Sequence, residues 1–122
     1  MNTFFLNPDV ERFPPESIRI LNLHAEPYPD GRRVRVGLEL TPFLQRPEIE
    51  LELTDAEGLP CGSVSLVEPM EWTLELTMHI RSQARDTSQP TPDTYTLTAV
   101  LSYPDLGETD RRQATFEISS SQ

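Results

Sequence analysis

The chain has 122 residues, with twenty acidic side chains against ten basic ones, a net charge of −10 and a pI near 4.5. A chain of this size leaves roughly 6,700 Å² exposed when folded against about 20,000 Å² unfolded, which is one domain with one core. The charge repels phosphate backbones and anionic membranes, so neither nucleic acid nor membrane is an expected partner. All ten basic residues are arginine, which excludes Schiff-base chemistry and the lysine of a phosphate-binding loop.

The first sixteen residues, Met1 to Glu16, form an apolar arm carrying Phe4, Phe5, Leu6, Val10 and Phe13. It offers at most a helical turn, begun by Asn7 as cap with Pro8 after it. The start lacks both the basic region and the long apolar run of a signal peptide. No apolar run approaches the roughly 20 residues of a spanning helix. A single cysteine, Cys61, allows no intrachain disulfide and fits a reducing compartment. A cytoplasmic location is the expectation.

Residues 17–122 read as one β domain. Twelve prolines punctuate the apolar runs and argue against helices. From Ser17 to Ala25, Ile18 and Ile20 hold one phase and Leu21, Leu23 and Ala25 the other, as a β-bulge requires. From Arg33 to Thr41, Val34, Val36, Leu38 and Leu40 alternate with polar residues over a period of two. The same period sets Ile49, Leu51 and Leu53 against Glu48, Glu50, Glu52 and Thr54. Ser63 to Val67 is a short fourth strand. Trp72, Leu74, Leu76, Met78 and Ile80 mark the fifth; Tyr95, Leu97, Ala99, Leu101 and Tyr103 the sixth; Ala114, Phe116 and Ile118 the seventh. Turns supply glycine at Pro29-Asp30-Gly31, Asp55-Ala56-Glu57-Gly58 and Pro104-Asp105-Leu106-Gly107. The polar stretch Ser82 to Asp93, with Pro90 and Pro92, reads as a long mobile loop. The predicted fold is all-β: a two-sheet antiparallel sandwich of about seven strands. Its predicted core gathers Val36, Leu38, Leu51, Leu53, Leu74, Leu76, Leu97, Ala99 and Phe116.

The stretch Asp93-Thr94-Tyr95-Thr96-Leu97, with the strand count and spacing, resembles the immunoglobulin-like and fibronectin type III-like sandwiches. The resemblance implies that Tyr95 is a tyrosine corner, its hydroxyl tied to the upstream loop. The chain departs from those families in lacking a cysteine pair and in placing its tryptophan, Trp72, on the fifth strand. The superfamily implies no particular activity.

The candidate chemistry is sparse. His24 and His79 have no second residue at metal-ligand spacing, and His79 falls on an outward phase beside Thr77 and Arg81. Cys61, between Pro60 and Gly62, reads as a packed thiol. Glu48, Glu50 and Glu52 make an acidic stripe, attractive to a cation or a basic protein, or else a solvated face that blocks edge pairing. Arg33 and Arg35 are candidates for cross-strand pairs with glutamates. Asp30, Asp55 and Glu57 are turn formers that fit no calcium loop. Trp72, Tyr95 and Tyr103 point inward, leaving Tyr28 and Phe43 as loop aromatics, which argues against a sugar-stacking platform. No catalytic, metal or cofactor site is expected, and the chain is not expected to be an enzyme. The leading expectation is a protein-interaction or accessory module, with a protein partner or a homodimer. Self-association would run through Phe4, Phe5, Leu6 and Phe13, the arm docking on its own sandwich or exchanging with a second copy. The alternative is a small-ligand or carbohydrate-binding sandwich with the 82–93 loop as lid.

Overall fold

The computed structural model describes residues 10–81 and 93–118. A 3-10 turn, Pro15–Ser17, precedes seven strands: β1 (Ile20–Pro27), β2 (Arg33–Leu40), β3 (Glu48–Thr54), β4 (Pro60–Val67), β5 (Thr73–His79), β6 (Asp93–Tyr103) and β7 (Gly107–Ile118). They form two antiparallel sheets, one in the order β1-β2-β5 and one in the order β4-β3-β6-β7. The architecture is the all-β sandwich expected, consistent with an immunoglobulin-like layout. Among the described residues no helix is long and apolar enough to cross a membrane.

The period-two phases decide what each sheet buries. Val34, Val36, Leu38 and Leu40 of β2 lie in one buried cluster with Ile49, Leu51 and Leu53 of β3.

 Leu97, Ala99 and Leu101 are the β6 members of that cluster, and Phe116 the β7 member. The bulge expected in the first strand is present: the β1–β2 register shifts between Ile20 and Asn22, leaving Leu21 half exposed. The three turn glycines, Gly31, Gly58 and Gly107, all take positive φ, the conformation that costs glycine least.

Several boundaries and environments differ from the sequence reading. β4 begins at Pro60 rather than Ser63. β1 begins at Ile20 rather than Ser17, because Ser17 closes the 3-10 turn after two prolines. β7 begins at Gly107, ahead of its apolar alternation, because hydrogen bonding to β6 carries the strand through a register shift at Leu101/Ser102. Trp72 lies just before β5 rather than within it. Leu74 and Leu76, expected in the core, are only partly buried: β5 is the last strand of its sheet, so among the described residues no strand covers its far flank.

The two flanks of the sandwich are closed differently. At the β1–β7 flank the Ile20 amide donates to Asp110 Oδ2 at 2.8 Å, and Arg112 Nη1 donates to the Ile20 carbonyl at 2.7 Å. These two side chains satisfy backbone groups beside the bulge. At the β4–β5 flank the sheets meet near Cys61, whose carbonyl accepts from the Arg81 amide at 2.7 Å. A Cβ on Gly62 would lie 2.8 Å from the His79 carbonyl oxygen, so the absence of a side chain permits this approach. Farther along, Val64 and Leu66 of β4 and Leu74 and Leu76 of β5 remain half buried, an apolar seam between the sheets.

Candidate interaction surface

The arm enters the described structure at Val10 and is fastened to the β2–β3 loop. The Phe13 amide donates to the Pro42 carbonyl at 2.9 Å, and the Leu44 amide donates to the Phe13 carbonyl at 3.0 Å. These bonds make a parallel bridge between Phe13 and Phe43. The Thr41 amide donates to the Arg19 carbonyl at 3.0 Å, and the Arg19 amide donates to Thr41 Oγ1 at 3.0 Å. Ile18 is fully buried between these anchors. Phe13 therefore packs on its own sandwich. Phe4, Phe5 and Leu6, with the turn expected at Asn7, lie outside the described residues, as does the 82–92 stretch of the expected loop.

Trp72 organises the same end of the molecule. Phe43 meets it edge to face at 5.7 Å, and the Arg12 guanidinium lies 5.4 Å from its ring centre, both favourable to the ring quadrupole. The Leu40 amide donates to the Trp72 carbonyl, and the Glu68 amide donates to the Pro47 carbonyl at 3.0 Å. The β2–β3 loop and the β4–β5 connection are thus joined. Glu68 holds φ at +52°, unusual for a residue with a Cβ. Around it stand Val67, 67% exposed, and Met70, 76% exposed, with Leu44 at 67% in the adjoining loop. Sequence periodicity missed this patch, since Leu44 and Met70 belong to connections, Val67 ends β4 on its outward phase, and Leu44 lies far from the other two in the chain.

The buried tyrosine tie at this end is Tyr103: its hydroxyl donates to the Gln45 carbonyl at 2.8 Å. Burial pushes its phenol up to about 12. Tyr95, the expected corner residue, stacks its ring on Phe116 at 5.5 Å. Phe43, read as a loop aromatic, is buried because the Phe13 bridge draws its loop against the core.

The remaining candidates are held in structural contacts. Asp55 Oδ1 accepts from the Glu57 and Leu59 amides, both at 2.9 Å, and Asp30 Oδ1 accepts from the Arg32 amide at 2.9 Å. That amide, reinforced by the Arg33 guanidinium, holds the Asp30 carboxyl below its ordinary value. Arg35 faces Glu75 at 3.7 Å rather than the β3 glutamates, because β2 and β3 belong to different sheets. The Thr77 hydroxyl lies 3.1 Å from the Tyr28 hydroxyl and, with Arg35, lowers its pKa. Arg33 covers the Tyr28 ring at 4.3 Å. The His24 ring lies over Gly37, where a Cβ would collide with it; His79 is exposed and Cys61 is buried. The acidic stripe runs along β3, an interior strand, so it guards no sheet edge; Ser65 Oγ donates to Glu50 at 2.8 Å. Among the described residues no group of three or more His, Cys, Asp or Glu side chains is placed to hold a metal.

No protein-family model matches the chain, and no curated protein matches it. Solved structures do. A β-glucuronidase from Ruminococcus gnavus in complex with D-glucuronic acid is similar at 17% identity and a TM-score of 0.54, over 84% of this chain and 16% of that one. A Bifidobacterium dentium β-glucuronidase gives 16% identity and 0.59, over 83% and 18%. A glycosyl hydrolase family 2 member from Bacteroides cellulosilyticus gives 11% and 0.55, over 83% and 15%. The chain spans less than a fifth of each of these larger chains, and the likeness establishes the sandwich fold.

Proposed function

We propose that this chain is a non-enzymatic accessory module that acts by docking on protein. The observation that carries this reading is the exposure of Leu44, Val67 and Met70 on the two segments that the Glu68–Pro47 bond ties together, next in sequence to the Phe43–Trp72 contact and to the half-buried β4–β5 seam. Exposed apolar groups gathered in one place mark contact surfaces more often than isolated ones do. The similarity to a small portion of larger glycosidases supports an accessory role, since a sandwich in such a setting works next to other protein elements.

The carbohydrate-binding alternative needs aromatic faces open to a sugar ring. Here Trp72 carries Arg12 and Phe43, Tyr28 carries Arg33, Tyr95 stacks on Phe116, and Tyr103 is buried. These partners favour the docking reading.

Two titrations of the full chain test it. An apolar fluorescent dye should bind, and the Val67→Lys, Met70→Lys double variant should lose most of that binding. Uronic acids, neutral saccharides and divalent metals should leave the melting temperature unchanged. A saturable, ligand-dependent rise would overturn the proposal, because such a rise reports binding to the native state.

A further inference from the structure

Four strands end the two sheets: β1 and β5 in one, β4 and β7 in the other. Natural sheets protect such edges with charge, proline or cover. β7 carries Glu108, Asp110, Arg111, Arg112 and Glu117, and it is tied to β1 through Asp110 and Arg112. β1 carries Glu26 and β5 carries Glu75. β4 alone has no charged residue over its eight positions, Pro60–Val67. Its only proline is the first residue, and it pairs with β3 on one side. Beyond the Cys61–Arg81 contact, the Ser63–Val67 portion ends its sheet, with no further strand beside it among the described residues.

Resting on the docking reading above, we infer that β4 is a self-pairing edge, and that its partner is β4 of a second copy, antiparallel across a two-fold axis. Two observations select a second copy. With a net charge of −10 on each molecule, an uncharged edge is where two copies approach with least repulsion. The edge is also self-complementary. Leu59, 47% exposed, stands at one end, and Val67 and Met70 stand at the other. An antiparallel two-fold pair brings the Leu59 end of each copy to the Val67–Met70 end of its partner, as an isologous interface requires. The paired strands would join two four-stranded sheets into one, and the half-buried Val64 and Leu66 would gain neighbours along the seam.

The experiment is sedimentation equilibrium on the full chain, combined with residue-resolved hydrogen exchange at low and high protein concentration. The expected result is a monomer–dimer equilibrium in which the Ser63–Val67 amides slow as the dimer fills. The dimer should strengthen when salt rises from about 0.05 M to about 0.5 M, because screening removes repulsion between like-charged copies. Val67→Lys should weaken it at least about tenfold, or roughly 1.4 kcal/mol. Glu48 lies opposite Val67 in the β3–β4 register, so the new lysine has a partner within the fold. Unchanged exchange rates at β1, β2 and β6 in that variant would verify that the sandwich is intact. A dimer without added protection at Ser63–Val67 overturns this inference while leaving the docking reading in place. A monomer up to about millimolar concentration, where association falls near 4 kcal/mol, also overturns it; a ligand-dependent rise in melting temperature bears instead on the docking reading.

Discussion

Replacing Tyr103 by phenylalanine removes one hydroxyl and little else, and the structure sets the size and pH dependence of the effect. The Tyr103 side chain is 2% exposed, and its hydroxyl donates at 2.8 Å to the Gln45 carbonyl in the β2–β3 loop. A net hydrogen bond contributes about 0.5–1.5 kcal/mol. Gln45 itself is exposed, so water can reach its freed carbonyl, and the expected loss is about 1 kcal/mol rather than the larger cost of an orphaned buried acceptor. At about 2.1 cal/mol/K per residue, that is a fall of roughly 4 °C in melting temperature. The pH dependence adds a second signature. Burial holds the folded phenol up to about 12, against an ordinary value of 10.0. The unfolded chain therefore gives up this proton first as pH rises. The contribution is fully present below pH 10 and is lost as pH climbs toward about 12. Urea unfolding of the parent and Tyr103→Phe between about pH 8 and pH 12 should give stabilities that are separated at the lower end, meet near about pH 11 and cross above it, because the rise from 10.0 to about 12 outweighs one hydrogen bond. A difference under about 0.3 kcal/mol at pH 8, or one that does not change above pH 10, would refute the reasoning.

Leu51→Ala, at a fully buried site on interior strand β3, should cost about 2–5 kcal/mol, and Leu76→Ala, half buried on β5, less than about 2 kcal/mol; equal losses in urea unfolding would contradict the open β4–β5 flank. Gly62→Ala should destabilise by about 1–3 kcal/mol, because its Cβ would press on the His79 carbonyl at 2.8 Å and on Leu53 Cδ1 at 3.1 Å. A neutral result in thermal unfolding would place the sheets farther apart there. Gly37→Ala should displace the His24 ring and cost about 1 kcal/mol, while in a His24→Ala background the same change should be neutral or stabilising. A double-mutant cycle with a coupling below about 0.5 kcal/mol would exclude that contact.

What the sequence made legible was the repeating part of the fold. Period-two runs such as Val34, Val36, Leu38 and Leu40 placed the strands and their buried faces, because alternation is a local property of a half-buried strand. The Ile20/Asn22 shift was also readable, as a change of phase. Sheet order was not. Nothing in Glu48, Glu50 and Glu52 says that β3 lies between β4 and β6, so the stripe resembled edge protection. The half burial of Leu74 and Leu76 likewise follows from β5 being last in its sheet, which only long-range pairing decides. The surface patch was the least legible feature, since the segments that carry Leu44, Val67 and Met70 are tied at one end of the molecule by the Phe13 bridge and the Glu68–Pro47 bond. Such contacts leave no periodic mark.

The docking surface is tested most directly by photocrosslinking in the native host, with a photoreactive residue placed at position 70 in one variant and at position 26 in another. Met70 lies at the exposed end of the β4–β5 flank, and Glu26 is exposed on β1 at the opposite flank. The account predicts a discrete protein adduct from position 70, whether to a second copy or to another protein, and little from position 26. Equal yields from the two positions, or adducts from position 26 alone, would contradict it.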